Sequence, residues 1–393
     1  MPSALRPIAV LTVAALAAIS LAACAAATGN GSGAKDSGSY TIGAIFPLSG
    51  QQAAFGNTYR DAIDAGTAYV NESGLLDGEL KASFADGQAN PQASVTSFNK
   101  LVNVDGAVAV LSGFSGVMKA LAPIANRNEV LVMNGGAASP ELRNLGDYVL
   151  NNVPLADDQI PQSVAFVAED RDISDWVVLA TNDALGQSML TSIEKALPNA
   201  GGELVGTVTV NSEATDFGSQ VLKLRELDPD FIYLAVAGGV VANLTRQIRE
   251  NGINAQMMSF AGNDSPEVIT APAGEGMLFT GQHLDLDANS KALDFLRSKI
   301  ENPTTLQINY FNLVLIIQQA IVALEADDAD VTGVSIRAKI DEIGTFDVVG
   351  GQLFFNSDGT VSQAIDVLQV QGGKSVPIRK FESDECSVEE LKC

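Results

Sequence analysis

The sequence predicts an α/β fold built on parallel sheets. Two observations carry that expectation. From Tyr40 onward, short and nearly continuous apolar runs alternate with segments whose apolar residues recur at helical spacing. Strands that are apolar on both faces belong in sheets covered on both sides by helices, the setting of parallel β-structure. The same rhythm restarts after Asn151-Asn152-Val153-Pro154, so one unit is followed by a second of the same kind. A chain of 393 residues leaves room for two domains at the usual ~100–200 residues each.

In the first unit, Thr41 to Leu48 is a buried strand. Phe55, Tyr59, Ile63, Gly66 and Val70 then fall on one helical face, and Gly74 ends that helix. Leu80 to Phe84 is the second strand. Asn90-Pro91 supplies an N-cap and a proline at the first helical position, ahead of Val95, Phe98 and Leu101. Ala107 to Leu111 and Val130 to Met133 are the next strands, separated by a helix through Met118, Leu121 and Ile124. In the second unit, strands are expected at Trp176 to Ala180, Glu203 to Val210, Phe231 to Ala235, Gln256 to Phe260 and Met277 to Thr280. Helices lie between them at Met189 to Leu197, Gly218 to Leu227 and Val240 to Asn251. Asp216 is placed to cap the second of these and Gly252 to stop the third. Leu306 to Leu324 is apolar nearly all round but carries Asn309, Asn312, Gln318 and Gln319, which reads as a core helix rather than a membrane span. Val334 to Ile343 is helical. Gln352 to Phe355 and Ala364 to Val370 are strands around the turn Asn356-Ser357-Asp358-Gly359.

The N-terminus reads as an address. Arg6 precedes an apolar run from Ile8 to Ala23, too short for a confident span and suited to a secretory signal over residues 1–23. The run ends in Leu21-Ala22-Ala23-Cys24, similar to the bacterial lipobox, in which the cysteine thiol takes a lipid. Residues 24–39 are mostly Ala, Gly, Ser, Thr and Asn, a composition expected of a flexible tether. The expected location is therefore extracytoplasmic, anchored to the bacterial cell membrane by an N-terminal lipid. A net charge of −24 argues against nucleic acid, which needs a basic face, and against adsorption to anionic lipid. Cys386 and Cys393, in a tail over residues 382–393, are close enough to form a small disulfide loop outside the cytoplasm. No zinc spacing exists, and the single histidine, His283, stands alone, so neither metal nor cofactor is expected. Asp285 and Asp287 read as a solvated turn rather than a calcium site.

The order of local patterns resembles the type I periplasmic solute-binding proteins of the leucine/isoleucine/valine-binding family, which serve ABC importers. The matching pieces include Gly43-Ala44-Ile45-Phe46-Pro47-Leu48-Ser49-Gly50 with Phe55-Gly56, Ala85-Asp86-Gly87-Gln88-Ala89-Asn90-Pro91, and Ser139-Pro140-Glu141-Leu142. Further along come Asn182-Asp183 with Gly186, Thr215-Asp216-Phe217, Asp228-Pro229-Asp230-Phe231-Ile232-Tyr233, and Gly350-Gly351-Gln352-Leu353-Phe354-Phe355 with Asp358-Gly359. The resemblance implies two doubly wound parallel-sheet lobes joined by three crossovers, near Asn151 to Leu155, Thr280 to Leu284 and Phe346 to Gly351. Lobe one would comprise residues 40–152 and 284–346, and lobe two residues 153–281 and 350–381. A small-molecule ligand, an amino acid or related polar solute, would lie between the lobes at the carboxyl ends of the strands, and ABC permease transmembrane subunits would be the partner.

On that resemblance the ligand would meet Phe55, the loop residues Ser115, Gly116 and Val117, and Gly136, Ala137 and Ala138 from lobe one. Lobe two would contribute Leu185, Ala237, Asn263 and Asp264. Several of these depart from amino-acid-binding members. A hydroxyl position falls on Ala138, two aromatic positions fall on Leu185 and Ala237, and the carboxylate expected to pair with an α-ammonium falls near Ala261. An ammonium buried without a carboxylate is costly. Either Asp264, three places on, takes that role, or the ligand has no α-ammonium; the departures favour the second. Backbone donors at Gly116, Val117, Gly136 and Ala138 remain available for an anion or a carbonyl. An enzyme is not expected: Gly113-Phe114-Ser115-Gly116-Val117 lacks the last glycine of G-x-S-x-G, and no phosphate loop or dinucleotide fingerprint is present. A ligand-sensing receptor is the alternative binding role, since fold alone does not separate it from transport.

Overall fold

Side-chain parity along the strands builds a core on each face of two sheets. The computed structural model describes residues 38–50, 52–171 and 173–382. The first sheet contains β1 (Tyr40–Phe46), β2 (Leu80–Asp86), β3 (Ala107–Ser112), β4 (Leu131–Asn134) and β5 (Val149–Asn151), all parallel, in the order β2-β1-β3-β4-β5. Helices α1 (Ala53–Ser73), α2 (Pro91–Asn103) and α3 (Ser115–Asn128) connect them. Ile42, Ala44 and Phe46 enter one core while Ile45 enters the other, as period-two geometry requires. The cap of α2 forms as expected: the Asn90 side chain accepts from the Ala93 N–H at 3.0 Å.

The second lobe follows with α4 (Ala156–Ala165), β6 (Asp175–Thr181), α5 (Ala184–Ala196), β7 (Glu203–Val210), α6 (Gly218–Leu227), β8 (Phe231–Ala235), α7 (Val240–Glu250), β9 (Gln256–Ser259), the single turn α8 (Pro266–Ile269) and β10 (Leu278–Gln282). Trp176, Val178 and Ala180 face one core of this lobe, and Val177 and Leu179 the other. The chain then returns to the first lobe through α9 (Ser290–Lys299), α10 (Thr305–Ala326), α11 (Gly333–Ile343) and a hairpin of β11 (Thr345–Val348) and β12 (Gly351–Phe354). It ends in β13 (Ile365–Gln371) and β14 (Lys374–Phe381), which complete a second sheet of order β14-β13-β10-β9-β8-β6-β7. Pairing in that sheet is parallel except at its β10-β13-β14 edge, where it is antiparallel. Among the described helices, α10 alone is long and apolar enough to cross a membrane, and here most of it is buried against the first lobe.

The hairpin corrects the expected third crossover. Phe346, Val348, Leu353 and Val361 all join the first lobe's core. The segment 350–361, assigned from sequence to lobe two, therefore packs on lobe one, and the passage between lobes lies between Val361 and the start of β13. Antiparallel pairing of β12 with β11 holds it there, and the Asn151 N–H donates to the Gly359 carbonyl at 2.7 Å. His283, at the second crossover, pairs through Nδ1 with Asp366 of β13 at 2.9 Å. Cys24, Cys386 and Cys393, with the signal, tether and tail assignments, lie outside the described residues.

Candidate functional site

The carboxyl ends of strands from both sheets converge on a cavity of about 300 Å³. Gln52, Phe55 and Tyr59 come from the turn after β1 and the start of α1. Phe114 to Val117 follow β3, and Gly136 and Ala137 follow β4. From the second lobe, Asp183 to Leu185 follow β6, Ala237 and Gly238 follow β8, and Phe260 and Gly262 follow β9. Tyr310 of α10 closes the floor. Ligands of doubly wound sheets bind at such strand ends. A larger groove of about 900 Å³ opens beside the first and third crossovers. Its charged groups pair with one another, Lys119 with Glu141 and Arg143 with Asp157 and Asp158, so we place the candidate site in the smaller cavity.

Eight of the residues expected from sequence line this cavity: Phe55, Ser115, Gly116, Val117, Gly136, Ala137, Leu185 and Ala237. Three do not. Ala138 is fully buried against the second lobe's core, and its carbonyl accepts from the Ala156 N–H at 2.6 Å, bracing the first crossover. Asn263 turns inward, donating through Nδ2 to the Ser259 hydroxyl at 2.7 Å. Asp264 points away from the cavity. Its Oδ2 accepts from the Thr305 hydroxyl at 3.2 Å and its Oδ1 from the Ser375 hydroxyl. Asp264 thus sits at the N-terminus of α10, a first-lobe helix, outside the cavity. Burial raises its pKa above the ordinary carboxylate range, against the lowering effect of the Ser375 and Thr305 hydrogen bonds.

One of the backbone donors expected to serve a ligand, Gly136, is already engaged, as is its neighbour Ala137. The N–H groups of Gly136 and Ala137 both donate to Asn134 Oδ1, at 3.1 and 2.7 Å. At the start of α3 the pattern is open: among the described residues, the N–H groups of Ser115, Gly116 and Val117 have no protein acceptor, and the first backbone bond is Met118 N–H to the Phe114 carbonyl at 3.0 Å. First-turn N–H groups lack intrahelical partners and carry the positive end of the helix dipole. Phe114, immediately before them, has φ 66° and ψ 120°, a conformation costly for a side chain with a Cβ.

The glycines of the two lobe-one loops are explained by Tyr310. A Cβ on Gly113 would lie 2.5 Å from the Tyr310 hydroxyl oxygen, and one on Gly135 would lie 2.9 Å from the ring. Neither has a positive φ, so close approach rather than turn geometry requires glycine here. The Tyr310 hydroxyl donates to the Ser112 carbonyl at 3.1 Å, and the ring packs 4.6 Å from that of Tyr59. Tyr59 is 5% exposed. Burial, together with the Glu267 carboxylate, pushes its pKa well above the ordinary phenol value, so it remains a donor.

Sequence reasoning missed Gln52, Tyr59, Phe114, Phe260 and Tyr310 as cavity residues. Tyr59 and Tyr310 carried only the signal of helical core spacing, because one aromatic ring serves both core and wall. Across the cavity, Gln52 Oε1 accepts from the Gly239 N–H at 2.9 Å, and the hydroxyls of Ser139 and Ser188 lie 3.2 Å apart. The two lobes therefore touch on both sides of the site.

Comparison with known proteins agrees with this architecture. A family model described as periplasmic binding protein matches residues 39–374. A leucine-, isoleucine-, valine-, threonine- and alanine-binding protein of Pseudomonas aeruginosa is 25% identical over 321 residues, covering 80% of this chain and 84% of that protein. The crystal structure of a leucine binding protein from Thermotoga maritima is similar at a TM-score of 0.77 and 19% identity, over 88% of this chain and 99% of its own. A solute binding protein of an ABC transporter from R. palustris, solved in complex with benzoate, is similar at a TM-score of 0.78 and 19% identity, over 89% and 99%.

Proposed function

We propose, from the premise that this chain belongs to the type I periplasmic binding proteins of the leucine/isoleucine/valine-binding family, that it captures an amino acid or related small solute between its lobes and delivers it to the membrane subunits of an ABC importer. The observation that carries the reading is the cavity itself. It lies at the strand ends of both lobes, it is sealed on two sides by contacts between lobes, and it offers uncommitted donors rather than a nucleophile beside a base. The relative that is 25% identical is named for binding leucine, isoleucine, valine, threonine and alanine, all small carboxylates. Hinge closure about the crossovers would bury such a ligand.

Lipidation at Cys24 would hold the protein at the outer face of the cell membrane, near its permease. Substituting Cys24 with Ser is expected to release the protein into the soluble fraction; retention in the membrane fraction would remove the anchor from the proposal. The binding role is tested by a thermal-shift screen against amino acids, small carboxylates, amides, sugars and nucleosides. A ligand at about 100 times its dissociation constant stabilises the folded state by about 2.7 kcal/mol, a visible shift of the transition. Stabilisation by no member of the panel would count against solute capture.

A further inference from the structure

We infer that the groove beside the first and third crossovers is a second binding site, for an uncharged polyhydroxylated solute such as a disaccharide. This goes beyond the solute capture proposed above, because the groove and the cleft cavity share only Ala184 in their walls. At about 900 Å³ the groove falls within the size of small-molecule sites, which runs from about 300 to 1,000 Å³. Its walls come from both lobes and from the passage between them. Glu141 belongs to the first lobe, Thr191 and Ser192 of α5 to the second, and Gln363 to the third crossover.

The hydrogen-bonding groups of the walls set the ligand class. Gln162 of α4 is 2% exposed and lines the groove, and its Oε1 has no donor among the described residues. The Oε1 of Gln363, buried along the same groove, also has none. The Thr191 hydroxyl donates to the Gln187 carbonyl at 2.9 Å, and the Ser192 hydroxyl to the Ser188 carbonyl at 3.0 Å. Each spends its one proton inside α5 and leaves acceptor lone pairs for the groove. A buried acceptor without a donor carries an uncompensated desolvation cost, and a ligand with several O–H groups supplies the missing donors. A hydroxyl also serves a glutamine amide in either orientation, because it both donates and accepts. Charge argues against polyamines, the other donor-rich class. Lys119, Arg143 and Lys195 balance Glu141, Asp157 and Asp158 along the walls. Lys119 lies 2.5 Å from Glu141, and Arg143 lies 3.1 and 3.0 Å from Asp157 and Asp158. These carboxylates are already matched, so an ammonium would add unbalanced charge.

Calorimetric titration of the purified protein with trehalose, maltose, gluconate and spermidine tests the inference. At least one of the two disaccharides is expected to bind, and gluconate and spermidine are expected not to. Gln162→Leu and Gln363→Leu are each expected to weaken the bound disaccharide about three- to tenfold. Their unliganded melting temperatures are expected to be kept or raised, since each change removes an unpaired buried acceptor. Tyr59→Phe, which alters the cleft cavity instead, is expected to leave the disaccharide affinity unchanged. Binding of neither disaccharide overturns the inference and leaves capture in the cleft standing. Tighter binding of spermidine or gluconate than of either disaccharide overturns the ligand class. A disaccharide weakened by Tyr59→Phe and not by Gln162→Leu sits in the cleft, which overturns the second site.

Discussion

The Oε1 of Gln52 in the first lobe accepts a 2.9 Å hydrogen bond from the backbone N–H of Gly239 in the second. The bond crosses the cavity at the residue before α1, and it needs glycine at the neighbouring position. A Cβ on Gly238, whose φ is 81°, would fall 1.8 Å from that same oxygen. The bond favours the arrangement in which the lobes meet. Gln52→Ala removes it without touching the free N–H groups of α3. A hydrogen bond of this kind contributes about 0.5–1.5 kcal/mol net, so solute affinity is expected to fall about three- to tenfold as the competent population shrinks. Titration of the variant with whichever solute stabilises the wild type checks this. An unchanged dissociation constant would show that the contact does not bias closure.

Phe114 gives an unusual order of stabilities. Its φ of 66° disfavours any residue with a Cβ. Phe114→Ala removes the ring and keeps the strain; Phe114→Gly removes both. The glycine variant is therefore expected to be the more stable of the two by about 1 kcal/mol, the reverse of the usual rule for these residues. Urea unfolding of the pair measures the difference.

Asp264 makes a pH prediction. Burial raises its folded pKa above the unfolded value, so the folded chain holds that proton more tightly than the unfolded chain. The stability it contributes is complete below the unfolded pKa, about 3.9, and is lost as pH rises through the folded pKa. Relative to Asp264→Asn, the wild type is expected to lose stability on going from acid toward neutral pH. The slope is at most about 1.4 kcal/mol per pH unit, one proton's worth. Denaturant titrations of both proteins across that range test the sign. A wild type that gains on the variant as pH rises would refute the assignment.

Arg143 ties the first lobe to the start of α4. Its guanidinium lies 3.1 Å from Asp157, 3.0 Å from Asp158 and 3.1 Å from Asp358. All four side chains are about one-third exposed, so solvent screens the pairs. Arg143→Ala is expected to cost about 1 kcal/mol at low salt, shrinking toward zero at about 1 M salt. Unfolding at the two ionic strengths measures it.

Much of the fold was legible because its signals are local. Ile42 to Phe46 and Trp176 to Ala180 announce buried parallel strands by continuous apolarity, and Asn90-Pro91 announces the start of α2. What escaped has weak local signals. The strand β5 is three residues long, α4 carries Pro161 inside it, and β14 is a largely exposed edge containing Pro377. The order of local patterns pointed to the strand-end loops that form the cavity. It did not reveal where individual side chains in those loops turn. Asp264 was read three places beyond a cleft position, but the one-turn helix Ala261–Asn263 rotates it into the seam with Thr305.

The sequence by itself determined the alternation of strands and helices, the doubling of that unit and the loops that meet at the strand ends, because hydrophobic period and turn chemistry act over a few residues. Tertiary structure alone decided which lobe receives the β11-β12 hairpin, which N–H groups stay free, and which way Asp264 and Tyr59 face. The placing of the hairpin on lobe one and the direction of Asp264 depend on partners far along the chain, as Asp264 and Thr305 are 41 apart, and long-range pairing leaves no period in the chain to be read.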